Sequence, residues 1–160
     1  MARLVTNASK AEANSRLAVL RLATLILRMR AGWAELFGDL ETAAIALAVA
    51  SIHADRLLRD ENLPPEVQNL KNPLPEELYG RCNIASVAVA AGLNRETARR
   101  HVNRLIERGV LERGDDGSIQ FAAGYLQGRQ IADLLQAQLD TLGRSVTEFL
   151  RMGAMVVTEE

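Results

Sequence analysis

The stretch GLNRETARRHVNRLIERGVLERGDDG (92–117) gathers six arginines in a 160-residue chain whose formal net charge is −1. These residue types suit the reading of duplex DNA. Arginine bonds guanine through two parallel N–H donors, asparagine bonds adenine, and glutamate accepts from cytosine. On a helix over 94–108, at about 100° per residue, Ala98, Val102 and Leu105 form one stripe. Glu96, Arg99, Arg100 and Asn103 then point the other way, with Arg95 and Arg104 on the flanks. The first turn of that helix adds backbone amides suited to a phosphate. Arg113 and the GDDG tip fall where a hairpin could touch the DNA backbone or minor groove. The two tip aspartates oppose this by repelling phosphate, and the six arginines exceed the acidic residues of the stretch by only one. Any affinity therefore rests on placement rather than bulk charge.

Those side chains need a scaffold. NIASVAVAAGL (83–93) reads as a short helix ending at Gly92. NRETARRHVNRLIERG (94–109) reads as a longer one, with Asn94 as cap, Glu96 in the first turn and Gly109 as stop. Val87, Ala88 and Ala91 give the first helix a small inner face, so the second can cross close against it, and Leu93 plugs the turn. VLER and SIQFA flank GDDG as a two-stranded hairpin with Asp116-Gly117 in the turn. All four prolines lie between 64 and 75, a breaker cluster. Before it, SKAEANSRLAVLRLATLILRMR (9–30) reads as a helix with Ser9 as candidate cap and Gly32 punctuating its end. A second helical run over 33–61 breaks near Gly38, where Asp39 can cap a new start. The first helix has an apolar face wide enough to need partners on more than one side. After the hairpin, 125–152 reads as a helix whose stripe is Ile131, Leu135, Leu139, Leu142, Val146, Phe149 and Leu150. A lone chain leaves that stripe half exposed unless the N-terminal helices cover it, so dimerisation is expected.

IASVAVAAGLNRETARRHVNRLIERGVLER, followed by a glycine-tipped hairpin, resembles the winged helix-turn-helix of bacterial transcriptional regulators. Ala88 four residues before Gly92, the Gly92-Leu93 turn, Thr97 followed by Arg99-Arg100, and LIERGVLER all fall in that pattern, over about residues 83–123. The long helices on both sides look most like the MarR-type dimeric repressors, whose terminal helices build the dimer. That likeness is one of arrangement and not of motif, and the proline-rich segment 62–75 departs from the compact MarR layout. The resemblance implies a mainly α fold: a three-helix core plus a two-stranded β-hairpin, with long N- and C-terminal dimerisation helices. It also implies recognition-helix residues at Arg95, Glu96, Thr97, Arg99, Arg100 and Asn103, and a wing contact near Arg113.

Composition excludes several other classes. A single cysteine, Cys82, permits neither an internal disulfide nor a cysteine-rich zinc site. It reads as a small apolar packing residue, with redox sensing the minor alternative. Aromatics make up 4% of the chain, so the core is built from Leu, Val, Ile and Ala. The N-terminus MARLVTNASK lacks the basic-then-apolar order of a signal peptide. LAVLRLATLIL (17–27) is interrupted by Arg21, and AAIALAVASI (43–52) is short of the roughly 20 residues a bilayer requires. A soluble, cytoplasmic protein with no membrane partner is the expectation. His53 with Asp55 lacks metal-ligand spacing, and His101 reads as packing or a phosphate contact. Trp33, Phe37 and Leu40 fall on one helix face and read as core, with an effector pocket the lesser reading. No phosphate-binding glycine loop or nucleophile elbow occurs, so neither an enzyme nor a cofactor is expected.

The sequence thus predicts a homodimeric, sequence-specific regulator that binds double-stranded DNA, with a small-molecule effector as a further candidate partner. Its alternative is a winged-helix protein-interaction module without DNA binding. The expected domains are an N-terminal helical region (9–61), a proline-rich connector (62–75), a DNA-binding domain (76–123) and a C-terminal dimerisation helix (125–152).

Overall fold

The computed structural model describes residues 2–59, 63–75, 78 and 80–159, without the side chain of Arg56. The expected domain boundaries at 61, 62 and 76 lie outside those residues. In chain order the first elements are β1 (Ala2–Thr6), α1 (Ala8–Ala13), α2 (Ser15–Phe37), α3 (Leu40–Leu58) and α4 (Pro65–Gln68). There follow α5 (Ile84–Ala91), α6 (Arg95–Glu107), β2 (Leu111–Arg113), β3 (Ile119–Phe121), α7 (Arg129–Arg151) and β4 (Met155–Glu159). The chain is mainly helical, with two separate two-stranded sheets. It divides into two compact units, Trp33–Ala132 and the pair of segments Met1–Gly32 with Asp133–Glu160. The divisions fall inside α2 and α7, not at the prolines.

The Trp33–Ala132 unit is built on α3, α5 and α6, with the β2–β3 hairpin against them. α3 starts where Asp39 accepts the Thr42 amide at 2.7 Å, the new start the sequence predicts after Gly38. Its buried face sets three alanines, Ala43, Ala46 and Ala48, among Ile45 and Val49. Small side chains let helices pack at short interaxial distance. α5 opens on a capping box, in which the Asn83 side chain accepts from Ala85 and Ser86 and Ser86 Oγ accepts the Asn83 amide. It closes at Gly92, whose φ of 66° is left-handed and disfavours any side chain. The chain reverses there, Leu93 donating its amide to Ala88 at 3.0 Å. Asn94 caps α6 by accepting the Thr97 amide at 2.8 Å. In the hairpin Leu111 pairs with Phe121 and Arg113 with Ile119. Leu111, Ile119 and Phe121 face the core, and Ile119 also donates its amide to the Cys82 carbonyl at 2.8 Å.

The other unit joins the two ends of the described chain. β1 runs antiparallel to β4 in the register Ala2↔Glu159 to Thr6↔Met155, a pairing the sequence does not predict. The N-terminal helix also starts earlier than expected, because Asn7, not Ser9, is the cap and accepts the Lys10 amide. Asn14 then interrupts it, and α2 begins at Ser15. Gly32 does not end α2. It lies inside the helix where a Cβ would come within 2.7 Å of Gln138 Nε2 on α7, and Gln138 donates to the Met29 carbonyl at 3.0 Å. The glycine makes room for a crossing, and α2 stops at Phe37. Arg21 and Glu148 form a further link between the two helices, at 2.9 Å. α7 begins at Arg129, four residues later than expected, because 122–128 is a run of turns carrying its own amide bonds to Ala122, Gly124 and Tyr125.

Among the described residues no single helix is long and apolar enough to cross a membrane.

Candidate nucleic-acid interface

The outer face of α6 is defined by what its inner face buries. Ala98, Val102 and Leu105 are fully enclosed, as the spacing predicts, and His101 joins them at 3% exposure. Its Nδ1 lies 2.8 Å from Thr42 Oγ1, and its Nε2 lies 3.0 Å from Glu41 Oε2, both on the first turn of α3. The Thr42 hydroxyl also contacts Asp39 Oδ2 at 2.9 Å. Arg104 donates to that same oxygen at 3.0 Å. Burial works to raise the Asp39 carboxyl, but the Thr42 bonds and the nearby His101 and Arg104 outweigh it and hold it below the usual carboxylate range. One turn further on, Arg108 donates to the Phe37 and Leu36 carbonyls, placing a positive charge on the C-terminal end of α2. Three successive turns of α6 are thus tied to the corner 36–42.

Of the residues expected to meet DNA, Arg95, Glu96, Arg99 and Arg100 are exposed in the first half of α6. Thr97 and Asn103 are half-buried, Arg113 is exposed on β2, and Arg104 is turned to Asp39. Arg99 grips Glu96 through two bonds of 2.6 and 3.0 Å. That hydrogen bonding holds the Glu96 carboxyl below its ordinary range and pushes the Arg99 guanidinium up. Among the described residues Arg95, Arg100 and Arg113 enter no ion pair.

The hairpin tip carries Asp115 and Asp116, both exposed. Asp116 is partly engaged by its own turn, where its Oδ1 accepts the Ser118 amide at 2.9 Å. The Ser118 bonds, with Arg81 nearby, keep its carboxyl below the usual range. Arg81 precedes the helix pair in sequence, so no motif marks it. The sequence likewise identifies Asp39 as a cap but gives no sign of Glu41, Thr42 or Arg108 as anchors of α6, because their partners lie 59 to 72 residues away.

Other candidates take structural places. His53 is buried, its Nε2 donating to the Ile119 carbonyl at 3.0 Å, and burial pushes its pKa down. Cys82 is 1% exposed, and burial pushes its thiol up to about 11, which leaves little thiolate for redox chemistry. Trp33 stacks on Phe37 at 6.2 Å, with Phe37 in the core. Leu40 belongs to the next helix and is exposed, so the three do not share a helix face. Among the described residues no group of His, Cys, Asp and Glu could hold a metal ion.

Comparison with known protein families, curated proteins and solved structures returns no match.

Proposed function

We propose that this chain is a winged helix-turn-helix transcriptional regulator that binds double-stranded DNA in a sequence-specific manner as a homodimer. One observation carries the reading: α6 is anchored by its buried stripe and by His101, Arg104 and Arg108, while Arg95, Arg99 and Arg100 stand free of the core on its opposite side. A rigid helix displaying guanidinium groups from its first turns is the geometry with which such modules enter a major groove. In this reading α3, α5 and α6 are the three-helix core, β2 and β3 form the wing, and Arg113 contacts the backbone. Arg99 meets a base edge with Glu96 as its orienting partner, and Arg104 positions α6 rather than reading sequence. Two copies, with half-sites about 34 Å apart, supply the affinity that one weakly charged module lacks. The copies join through α2 and α7, whose exposed apolar residues include Leu20, Ile26, Leu27 and Leu139.

The test begins with selection of bound fragments from random-sequence duplex at about 50 mM salt. A palindromic site is expected. Arg99→Ala with Arg100→Ala should weaken binding to it about a thousandfold, since each good base contact contributes ~1–3 kcal/mol. Circular dichroism and the dimer mass should not change. A chain that retains no duplex at that salt is the interaction module instead, and a double variant that still binds the selected site removes α6 as the reading helix.

A further inference from the structure

We propose that the Trp33–Ala132 unit holds a binding site for a small uncharged molecule, apolar in body with a single hydroxyl or N–H donor. The site is a cavity of about 710 Å³ bounded by α3, the proline-rich segment and β3. Ligand pockets typically measure ~300–1,000 Å³ and combine apolar walls with a few fixed polar groups. Here the walls are Leu57 of α3, Val67 of α4, Leu70 and Leu74 of the segment after it, Phe121 of β3 and Leu126.

The polar groups define the ligand. Asn72 and Gln127 line the cavity, and their amide nitrogens are already donated to the Glu66 and Leu70 carbonyls at 3.0 and 2.9 Å. Their amide oxygens remain as acceptors, which suits one donor on the ligand. No lysine or arginine is among the described lining residues, so a carboxylate or phosphate would find no counter-charge among them. The ionisable groups described there are Glu112 and His53. Glu112 Oε1 accepts from Gln120 at 2.9 Å, and His53 is held by the Ile119 carbonyl, its burial favouring the neutral ring. Pro73 and Pro75 are part of the lining, so φ at two positions of one wall is set before a ligand arrives.

A ligand in this place touches α3 and β3 together and would restrain the hairpin that carries Arg113. That coupling rests on the regulator reading; binding itself does not.

The probes are 2-naphthol and 2-naphthoate, which share a ring system and differ in charge at neutral pH. Each is added to the full chain, without DNA, and followed by thermal denaturation and by amide shifts in two-dimensional NMR. Saturating 2-naphthol should raise Tm by about 5 °C and move amides within 50–57, 67–75 and 120–127, whereas 2-naphthoate should do neither. Ala54→Phe fills the cavity from α3 and should abolish the response. Val67→Trp fills it from α4, and serves if the first variant does not fold. The proposal is overturned if 2-naphthol moves no amides there, if 2-naphthoate binds as well, if the shifts centre on α2 and α7, or if a folded filled variant responds like the parent. Failure in this DNA-free assay leaves the regulator reading standing, and failure of the fragment selection leaves the cavity standing.

Discussion

The two units hold similar kinds of residue and treat them oppositely. In Trp33–Ala132 the apolar positions of α3, α5, α6 and the hairpin converge on one core that includes Ile45, Val49, Val87, Val102, Leu105 and Ile119. In the unit of Met1–Gly32 and Asp133–Glu160, Phe149, Ala154 and Gln138 are the residues described as buried. Leu17, Val19, Leu20, Leu22, Ile26 and Leu27 of α2 are exposed there, as are Leu135, Leu139 and Leu142 of α7. Hydrophobic content alone therefore does not measure a core. Three helices and a hairpin can enclose a volume, whereas two long helices and a ribbon leave most of their apolar surface without partners. Under the proposed function these exposed apolar residues are covered by the same unit of a second copy.

That contrast breaks most readily at α2 and α7. Leu20→Glu with Leu139→Glu should weaken the dimer about a thousandfold, near 4 kcal/mol, measured by sedimentation equilibrium. The amides of α3, α5 and α6 should keep their protection from hydrogen exchange. An unchanged mass would remove those faces as the interface. The complementary change, Leu105→Ala, should cost about 3 kcal/mol in urea denaturation, because it opens a cavity under α6 in the unit that has its own core.

Smaller effects sharpen the same contrast. The folded-state pKa of His53 lies below its ordinary value of 6.5, so between those values the unfolded chain binds the extra proton. The stability linked to His53 is thus complete above pH 6.5 and is lost as pH falls through the folded-state value. His53→Gln should cost on the order of 1 kcal/mol at pH 7 and flatten that acid-side decline in a pH series of denaturation curves. Smallest is Arg104→Ala, which breaks a half-exposed pair with Asp39 and should cost at most about 1 kcal/mol by denaturation.

What the sequence made legible was local. Caps at Asp39 and Asn94, the left-handed Gly92 and the Asp116-Gly117 tip are set by residues within a few positions of one another, and short-range rules reach them. The β1–β4 ribbon joins residues 149 to 157 positions apart, and neither strand has a neighbouring turn to announce it. Gly32 has the sequence signature of a helix stop, because a glycine that ends a helix and one that admits a crossing helix look alike until the second helix is located. For the candidate interface, helical periodicity revealed the outward arginines, while the anchoring of His101, Arg104 and Arg108 depended on which loop folds beneath them. Arg104 shows the limit: a flank position has two directions available, and Asp39 draws it inward.

Cys82 has a practical consequence. As the sole thiol of the chain, enclosed in the Trp33–Ala132 core and with its carbonyl bonded to the hairpin, it can be alkylated only when that region opens. Labelling rates under native conditions therefore time the opening of one unit and are blind to the other. The chain carries its own reporter, and whatever clamps the hairpin to α3 should slow its clock.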